Sequence, residues 1–264
     1  MNKKISIVTA YYNRKELFHR TLKSITKTKY DNFEIIAVDD ASREEERIED
    51  LAIGFPFLRV IRIEPKDKWY KSAIIPLNLG ISLADGDIIV LQNPECLHVH
   101  DVLSHIVEKI NDLDYISISA YSLNEELTNT LPAQIDGEDF IGYFESLPQQ
   151  TVDGYVGWYN HSTYRPVHFN FCAALTGKNM KSLGGFDERY AMGLGFEDDE
   201  FIGRITKMGL NKIISEEVSV IHQWHPKVFD LADDGNLALF LSNRELYLET
   251  RNEKTYTVNN SFNK

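Results

Sequence analysis

Cysteine is scarce in this chain. Cys96 and Cys172 are the only two among 264 residues, so no disulfide framework holds the fold together and a reducing compartment, the cytoplasm, is the expected location. Long apolar runs are absent too. No stretch approaches the roughly 20 apolar residues that a membrane-spanning helix needs, so any membrane association is expected to be peripheral and through a partner. The first residues carry Lys3 and Lys4, but their apolar run breaks at Tyr11-Tyr12-Asn13-Arg14, which reads as a first strand and not as a secretion signal. Positive charge is in deficit: 28 Lys and Arg stand against 40 Asp and Glu, a net charge of -12. Such a surface repels phosphate backbones and argues against nucleic acid as a partner. It leaves open a local pocket in which a divalent cation bridges the chain to a diphosphate. Internal repeats and low-complexity segments are missing as well.

What is present is ordinary globular material, 43% hydrophobic and 26% charged, long enough for one large domain or two fused lobes. Residues 5–10, 33–38, 58–63 and 87–92 are short apolar runs that read as buried strands. Between them, a helix begins at Asn13, where Asn13 and Glu16 fit a capping box, a charged helix is expected over 43–52, and a third over 72–83 with Pro76 near its start. Alternating strands and helices predict a parallel sheet covered on both faces. Ligands then sit beyond the carboxyl ends of the strands, where Thr9, Asp39, Asp40, Asn93 and Glu95 fall.

After residue 100 the spacing predicts a helix over 102–113, a strand over 115–121, a long polar loop over 122–165, a strand over 167–175, a helix over 199–208 and a strand over 218–221. Residues from about 236 form a helix and then a polar tail.

Three clusters carry chemistry. Asp39-Asp40 ends the second strand near Thr9 and Tyr11; a carboxylate there accepts hydrogen bonds from a ribose or a base, or else caps the next helix. Asn93-Pro94-Glu95 offers an amide oxygen and a carboxylate to one hard cation from a stiffened turn. Glu197-Asp198-Asp199-Glu200 follows Gly193-Leu194-Gly195-Phe196 and opens an apolar-faced helix; a carboxylate in a partly dry pocket gains proton affinity and suits a general base. His222, at the end of an apolar strand, is well placed to ligate a metal, with His225 close behind. His98 and His100, soon after Glu95, are weaker candidates.

These segments together resemble the family 2 glycosyltransferases of the GT-A fold. The resemblance rests on Ser6 to Arg14, Val38-Asp39-Asp40-Ala41-Ser42, Asn78-Leu79-Gly80-Ile81 with Ala84-Asp85-Gly86-Asp87, Gly184 to Glu188 and Gly195 to Phe201, and it spans residues 5 to about 225. It implies an α/β fold of GT-A type: a Rossmann-like, mostly parallel sheet with helices on both faces and a smaller acceptor-binding lobe. Residues 1–100 are then the nucleotide-sugar lobe, 101–230 the acceptor-binding and catalytic lobe, and 231–264 a C-terminal helix and tail.

The resemblance also implies roles. Thr9, Tyr11, Asp39, Asp40, Lys71 and Asn78 would hold the donor nucleotide, commonly uridine. Asn93, Glu95 and His222 would hold Mn2+ or Mg2+, with Asn93 standing where the family usually has the first Asp of Asp-x-Asp. Asp198 would be the catalytic base, with Glu197, Asp199, Trp158 and His225 toward the acceptor and sugar. The implied reaction is inverting transfer from a nucleotide-sugar donor, a UDP-sugar by expectation, to a hydroxyl of a glycan, lipid-linked or protein acceptor. Residues 122–165, with Tyr155, Trp158 and Tyr159, would cover the sugar or line the acceptor groove. A sugar nucleotidyltransferase would want a glycine- and lysine-rich loop near residue 10, which this chain lacks. A non-catalytic sugar-binding module of the same fold is the other alternative.

Overall fold

The computed structural model describes residues 2–137, 139–152, 155–227 and 230–259. Its first part alternates as the apolar runs suggest: β1 (Ile5–Tyr11), α1 (Lys15–Ile25), β2 (Phe33–Asp40), α2 (Leu51–Gly54), β3 (Leu58–Ile63), α3 (Ile74–Leu83) and β4 (Ile88–Gln92). There follow β5 (Cys96–His98), α4 (Val102–Lys109) and β6 (Asp114–Ser122). Three short helices come next, α5 (Glu125–Thr130), α6 (Pro132–Ile135) and α7 (Phe140–Glu145), then a small hairpin of β7 (Thr151–Val152) and β8 (Tyr155–Val156), and β9 (Trp158–Tyr159). The chain continues through β10 (Cys172–Thr176), α8 (Gly177–Leu183), α9 (Glu197–Lys207), β11 (Asn211–His222) and α10 (Asp234–Thr250).

Among the described residues one sheet runs in the order β3-β2-β1-β4-β10-β6-β11-β5, with β9 also on β6. β3, β2, β1 and β4 are parallel; β10 is antiparallel to both its neighbours; β6 and β11 are parallel again. The strand runs are apolar without alternation because both faces are buried. Ile5, Ile7, Ile88 and Val90 face the layer of α1 and α4, while Val8, Ile89 and Leu91 face that of α3, α8 and α9. This is the α/β architecture of GT-A type expected from the sequence.

Several local expectations give way. The capping box at Asn13 does not form: Asn13 has φ +47°, and its side-chain oxygen accepts from the Arg43 amide instead. Glu46 takes over, its carboxylate accepting from the Lys15 amide at 2.9 Å. That diversion, with Ile48 buried as a plug, also breaks the expected charged helix over 43–52 into a 3-10 turn at Glu44–Glu46 and the single turn of α2. Pro76 sits in the first turn of α3, where no intrahelical N–H bond is lost. The strand expected over 167–175 begins only at Cys172; His168, at φ +62°, belongs to a loop. β11 is twelve residues long, not four, because a register shift between Ser215 and Ser219 and an exposed outer end hide its pattern. Residues 122–165 are not a bare loop: α5, α6 and α7 pack Leu131, Ile135 and Phe140 onto Leu97 and Ile221 as a third core. The Tyr155 side chain and residues 260–264 of the expected tail lie outside what is described. No helix among the described residues is long and apolar enough to cross a membrane.

Candidate active site

The chain passes from β1 through β2 to β3 on one side and then returns to place β4 on the other side of β1. A crevice opens where the order reverses, beyond the carboxyl ends of β1 and β4. The loops there carry Arg14 and Glu95, and the two side chains meet: Arg14 Nη1 donates to Glu95 Oε2 at 2.7 Å. Arg14 is held in turn by its Nε on the Tyr12 carbonyl and by its amide on the Tyr11 hydroxyl. Sequence reading quoted Arg14 within a motif but gave it no role.

β5 brings the other half of the cluster. It pairs antiparallel with β11, His222 opposite Cys96, so the residue before β5 lies against the end of β11. The Glu95 Oε1 atom is 3.2 Å from His222 Nε2 and 3.3 Å from His225 Nε2. Ligand atoms of these three residues lie within 4.8 Å of one another. Glu95 is almost wholly buried. Burial alone would push its carboxyl up, but Arg14, His222 and His225 outweigh it and hold the group well below the usual carboxylate range.

A divalent cation fits this cluster. His225 Nδ1 lies 3.0 Å from the Pro226 carbonyl, which can only accept, so the ring nitrogen there carries the hydrogen. Either a proton on Nε2 or a divalent cation can sit between that nitrogen and the Glu95 carboxylate, and the ligand atoms of all three residues are close enough for one ion to reach them together. Sequence reading had placed His225 with the acceptor; the geometry sets it beside His222. Asn93 is one turn away, its amide donating to the Phe171 carbonyl.

Phe171 links this cluster to the acidic one. Its ring packs edge-on to His222 at 5.1 Å, and it lines a cavity of about 170 Å³ together with Asn93, Asn170, Glu197 and Asp198. Asn170 Nδ2 donates to Asp198 Oδ1 at 2.7 Å, and Tyr115 donates to the Asn170 oxygen at 2.9 Å, which fixes the amide's orientation. Burial pushes the Asp198 carboxyl up to about 6 against the pull of Asn170, and Asp199 adds to the rise. Glu197 is pushed up to about 7 by burial and by Asp198; its Oε2 is buried without a hydrogen-bond partner. Asp199 points outward. Glu200 does not belong to this chemistry: it and Arg204 form a buried pair at 2.7 Å, and Arg204 also donates to the Leu183 and Gly185 carbonyls.

The backbone before Glu197 is shaped by α10. Gly195 and Phe196 have φ of +72° and +66°, unusual for a phenylalanine. The Asn243 amide donates to the Gly195 and Tyr190 carbonyls, and the Phe196 ring stacks on Tyr247. A Cβ on Gly193 would come within 2.1 Å of Asn243 Oδ1.

The remaining expected residues divide. Thr9 has a buried hydroxyl oxygen without a partner. Asp39 is fully buried, accepting from the Ser42 amide and from Arg62 at 2.8 Å. Asp40 accepts from Tyr70 at 2.6 Å and from Lys68 at 2.8 Å, so the cation at this strand end is Lys68, while Lys71 is exposed and its amide bonds to Ala191. Tyr11 is in the core, its hydroxyl donating to the Glu46 carbonyl. Asn78 clasps the Phe186 backbone from the middle of α3 and does not face the crevice. It lines a cavity of about 730 Å³ near Asp85 and Gly86, at the opposite, amino end of β4. Trp158 packs on Tyr121 at 4.8 Å. His98 is buried against Gln92, its pKa lowered by burial to about 3.

A family model described as Glycosyl transferase family 2 matches residues 6–172. The chain belongs to glycosyl transferase family 2. This family 2 glycosyltransferase is 30% identical over 173 residues to the dolichol-phosphate mannosyltransferase of Pyrococcus furiosus, a match covering 57% of this chain and 48% of that protein. It is 26% identical over 143 residues to the glycosyltransferase GlyG of Streptococcus pneumoniae, covering 53% and 46%. The chain thus spans about half the length of these curated relatives. Among solved structures it is similar to the mannosyltransferase PcManGT from Pyrobaculum calidifontis in complex with GDP-Man and Mn2+, with TM-score 0.56 and 20% identity over 83% of this chain and 56% of that one. It is also similar to GalNAc-T7 with UDP, GalNAc and Mn2+, with TM-score 0.60 and 16% identity over 92% and 48%. These likenesses establish the GT-A fold.

Proposed function

We propose that this glycosyltransferase moves a sugar from a nucleoside diphosphate sugar, a UDP-sugar in the first instance, to an acceptor hydroxyl with inversion at the anomeric carbon. One observation carries the reading: Glu95, His222 and His225 converge at the switch point of the sheet, one aromatic ring away from the cavity that holds Asp198. A divalent cation bound by Glu95, His222 and His225 would neutralise charge on the departing diphosphate. Two imidazole nitrogens favour Mn2+ over Mg2+ at such a site. Thr9 and the Asp39–Arg62 and Asp40–Lys68 pairs border the nucleotide end of the crevice.

Asp198 serves as the base. With a pKa of about 6 it is ionised at neutral pH yet basic enough to take a hydroxyl proton as the attack proceeds. Asn170 aims it. Glu197 and Asp199 flank it, where they meet acceptor or donor hydroxyls. A single base beside the sugar position suits one displacement from the opposite face, and hence inversion. The acceptor is a glycan, a lipid-linked saccharide or a protein.

The test is turnover of UDP- and GDP-sugars with and without Mn2+, following nucleoside diphosphate release, for the wild type and Asp198→Asn. The reading expects Mn2+-dependent release that falls about 10²- to 10⁴-fold in the variant, and a product of inverted anomeric configuration by NMR. Release that survives Asp198→Asn unchanged refutes the assignment of the base.

A further inference from the structure

The charge at the cation site is unusual when counted residue by residue. Glu95 is its one carboxylate, Asn93 contributes none, and Arg14 sits on Oε2 at 2.7 Å. An arginine does not shed its proton. The carboxylate and the guanidinium cancel, so a divalent ion approaching the two imidazoles meets no net negative charge. The donor's diphosphate would bring the missing charge.

Arg14 is also placed to receive that group. Its engaged nitrogens are Nε and Nη1; Nη2 has no hydrogen-bond partner among the described residues. It lines, with Tyr12, Trp224 and His225, an open cleft of about 540 Å³ beside the cluster. A guanidinium binds phosphate oxygens in a planar, two-pronged manner that no other side chain matches.

We propose that Arg14 makes cation binding and diphosphate binding interdependent: it neutralises Glu95 while the site lacks donor, and engages the donor's phosphate when the cation takes the carboxylate. Arg14 is thus a positioning residue that holds the affinity for the free ion low and that for the ion with its nucleotide high. The inference rests on the reading above that the site takes a cation and a nucleoside diphosphate.

Calorimetry on the full chain tests it without any turnover. Mn2+ alone, UDP or GDP alone, and each nucleotide at saturating Mn2+ are titrated into the wild type, Arg14→Met, Arg14→Gln and Glu95→Gln. Arg14→Met is expected to bind Mn2+ alone at least about 10-fold more tightly, and the nucleotide with Mn2+ at least about 10-fold more weakly, with nucleotide binding in the absence of Mn2+ unchanged, so the coupling between the two ligands shrinks about 10-fold. Arg14→Gln moves both in the same directions and stands in if Arg14→Met fails to fold. Glu95→Gln is expected to lose Mn2+ binding. Unchanged Mn2+ affinity in Arg14→Met, with binding lost in Glu95→Gln, overturns the role of Arg14 alone. Equal Mn2+ binding in Glu95→Gln and wild type overturns the cation site itself, and with it this inference.

Discussion

Asn170 offers a direct way to interrogate the proposed base, Asp198. Its amide donates to Asp198 Oδ1 at 2.7 Å and so stabilises the ionised form against the burial that pushes the carboxyl up to about 6. A hydrogen bond to a charged group is worth about 1.5–3 kcal/mol, and the low end applies because Asp198 keeps some exposure to solvent. Removing it in Asn170→Ala therefore raises the Asp198 pKa by about one unit, at 1.36 kcal/mol per unit. The sign is fixed: a base works only when ionised, so its activity falls as pH drops through its pKa, and a higher pKa moves that fall upward. Initial rates of nucleoside diphosphate release at saturating donor, acceptor and Mn2+, measured from pH 5 to 9, should show the acidic limb displaced from near 6 to near 7. The loss should be about fivefold at pH 6, approach tenfold at pH 5 and vanish toward pH 9. Glu197, raised to about 7, lines the same cavity, and Asp199 lies next to Asp198 but points outward; they are common to both proteins, so the comparison isolates Asn170. Tyr115→Phe, which leaves the amide without its orienting partner, should move the limb by less. An acidic limb that stays in place, or moves down, refutes the reasoning.

Other outcomes follow from the same geometry. Asp198→Asn should raise the melting temperature by about 2–4 °C at pH 8: a carboxyl whose folded pKa is raised destabilises the fold above that pKa, and the gain should disappear below pH 4, where both states are protonated. Arg204→Met strands Glu200 in the interior and should cost about 3–5 kcal/mol in urea unfolding, while the double variant with Glu200→Leu recovers much of the loss. Gly193→Ala places a methyl against Asn243 and should lower kcat at least about tenfold with little change in Mn2+ binding, by a shift of the loop that leads to Asp198.

The strands of the first hundred residues were legible because each is buried on both faces, which leaves a continuous apolar run such as Ile5 to Ala10. The helix over 43–52 was misread because its charged residues serve tertiary ends: Glu46 caps α1, which periodicity does not reveal. β5 is three residues, Cys-Leu-His, too short for any pattern, yet it sets Glu95 beside His222. Asp198 and Glu95 stood out by type and neighbourhood. Arg14 and Asn170 did not, since their meaning is the partner each meets, 81 and 28 residues away. Asn78 was misplaced for the complementary reason: its polar group satisfies the Phe186 backbone, a structural duty that looks like a binding residue in one dimension.

The last helix adds little apolar burial of its own, with only Asn243 and Thr250 fully inside. Its weight falls instead on the Gly195 carbonyl, which finds its donor 48 residues downstream. The two left-handed residues ahead of the acidic run are therefore braced from the far end of the chain. The proposed cation ligands and base all lie at or before His225, but the structure that braces them extends to Thr250: dislodging α10 should lower activity while leaving each of those groups in the polypeptide.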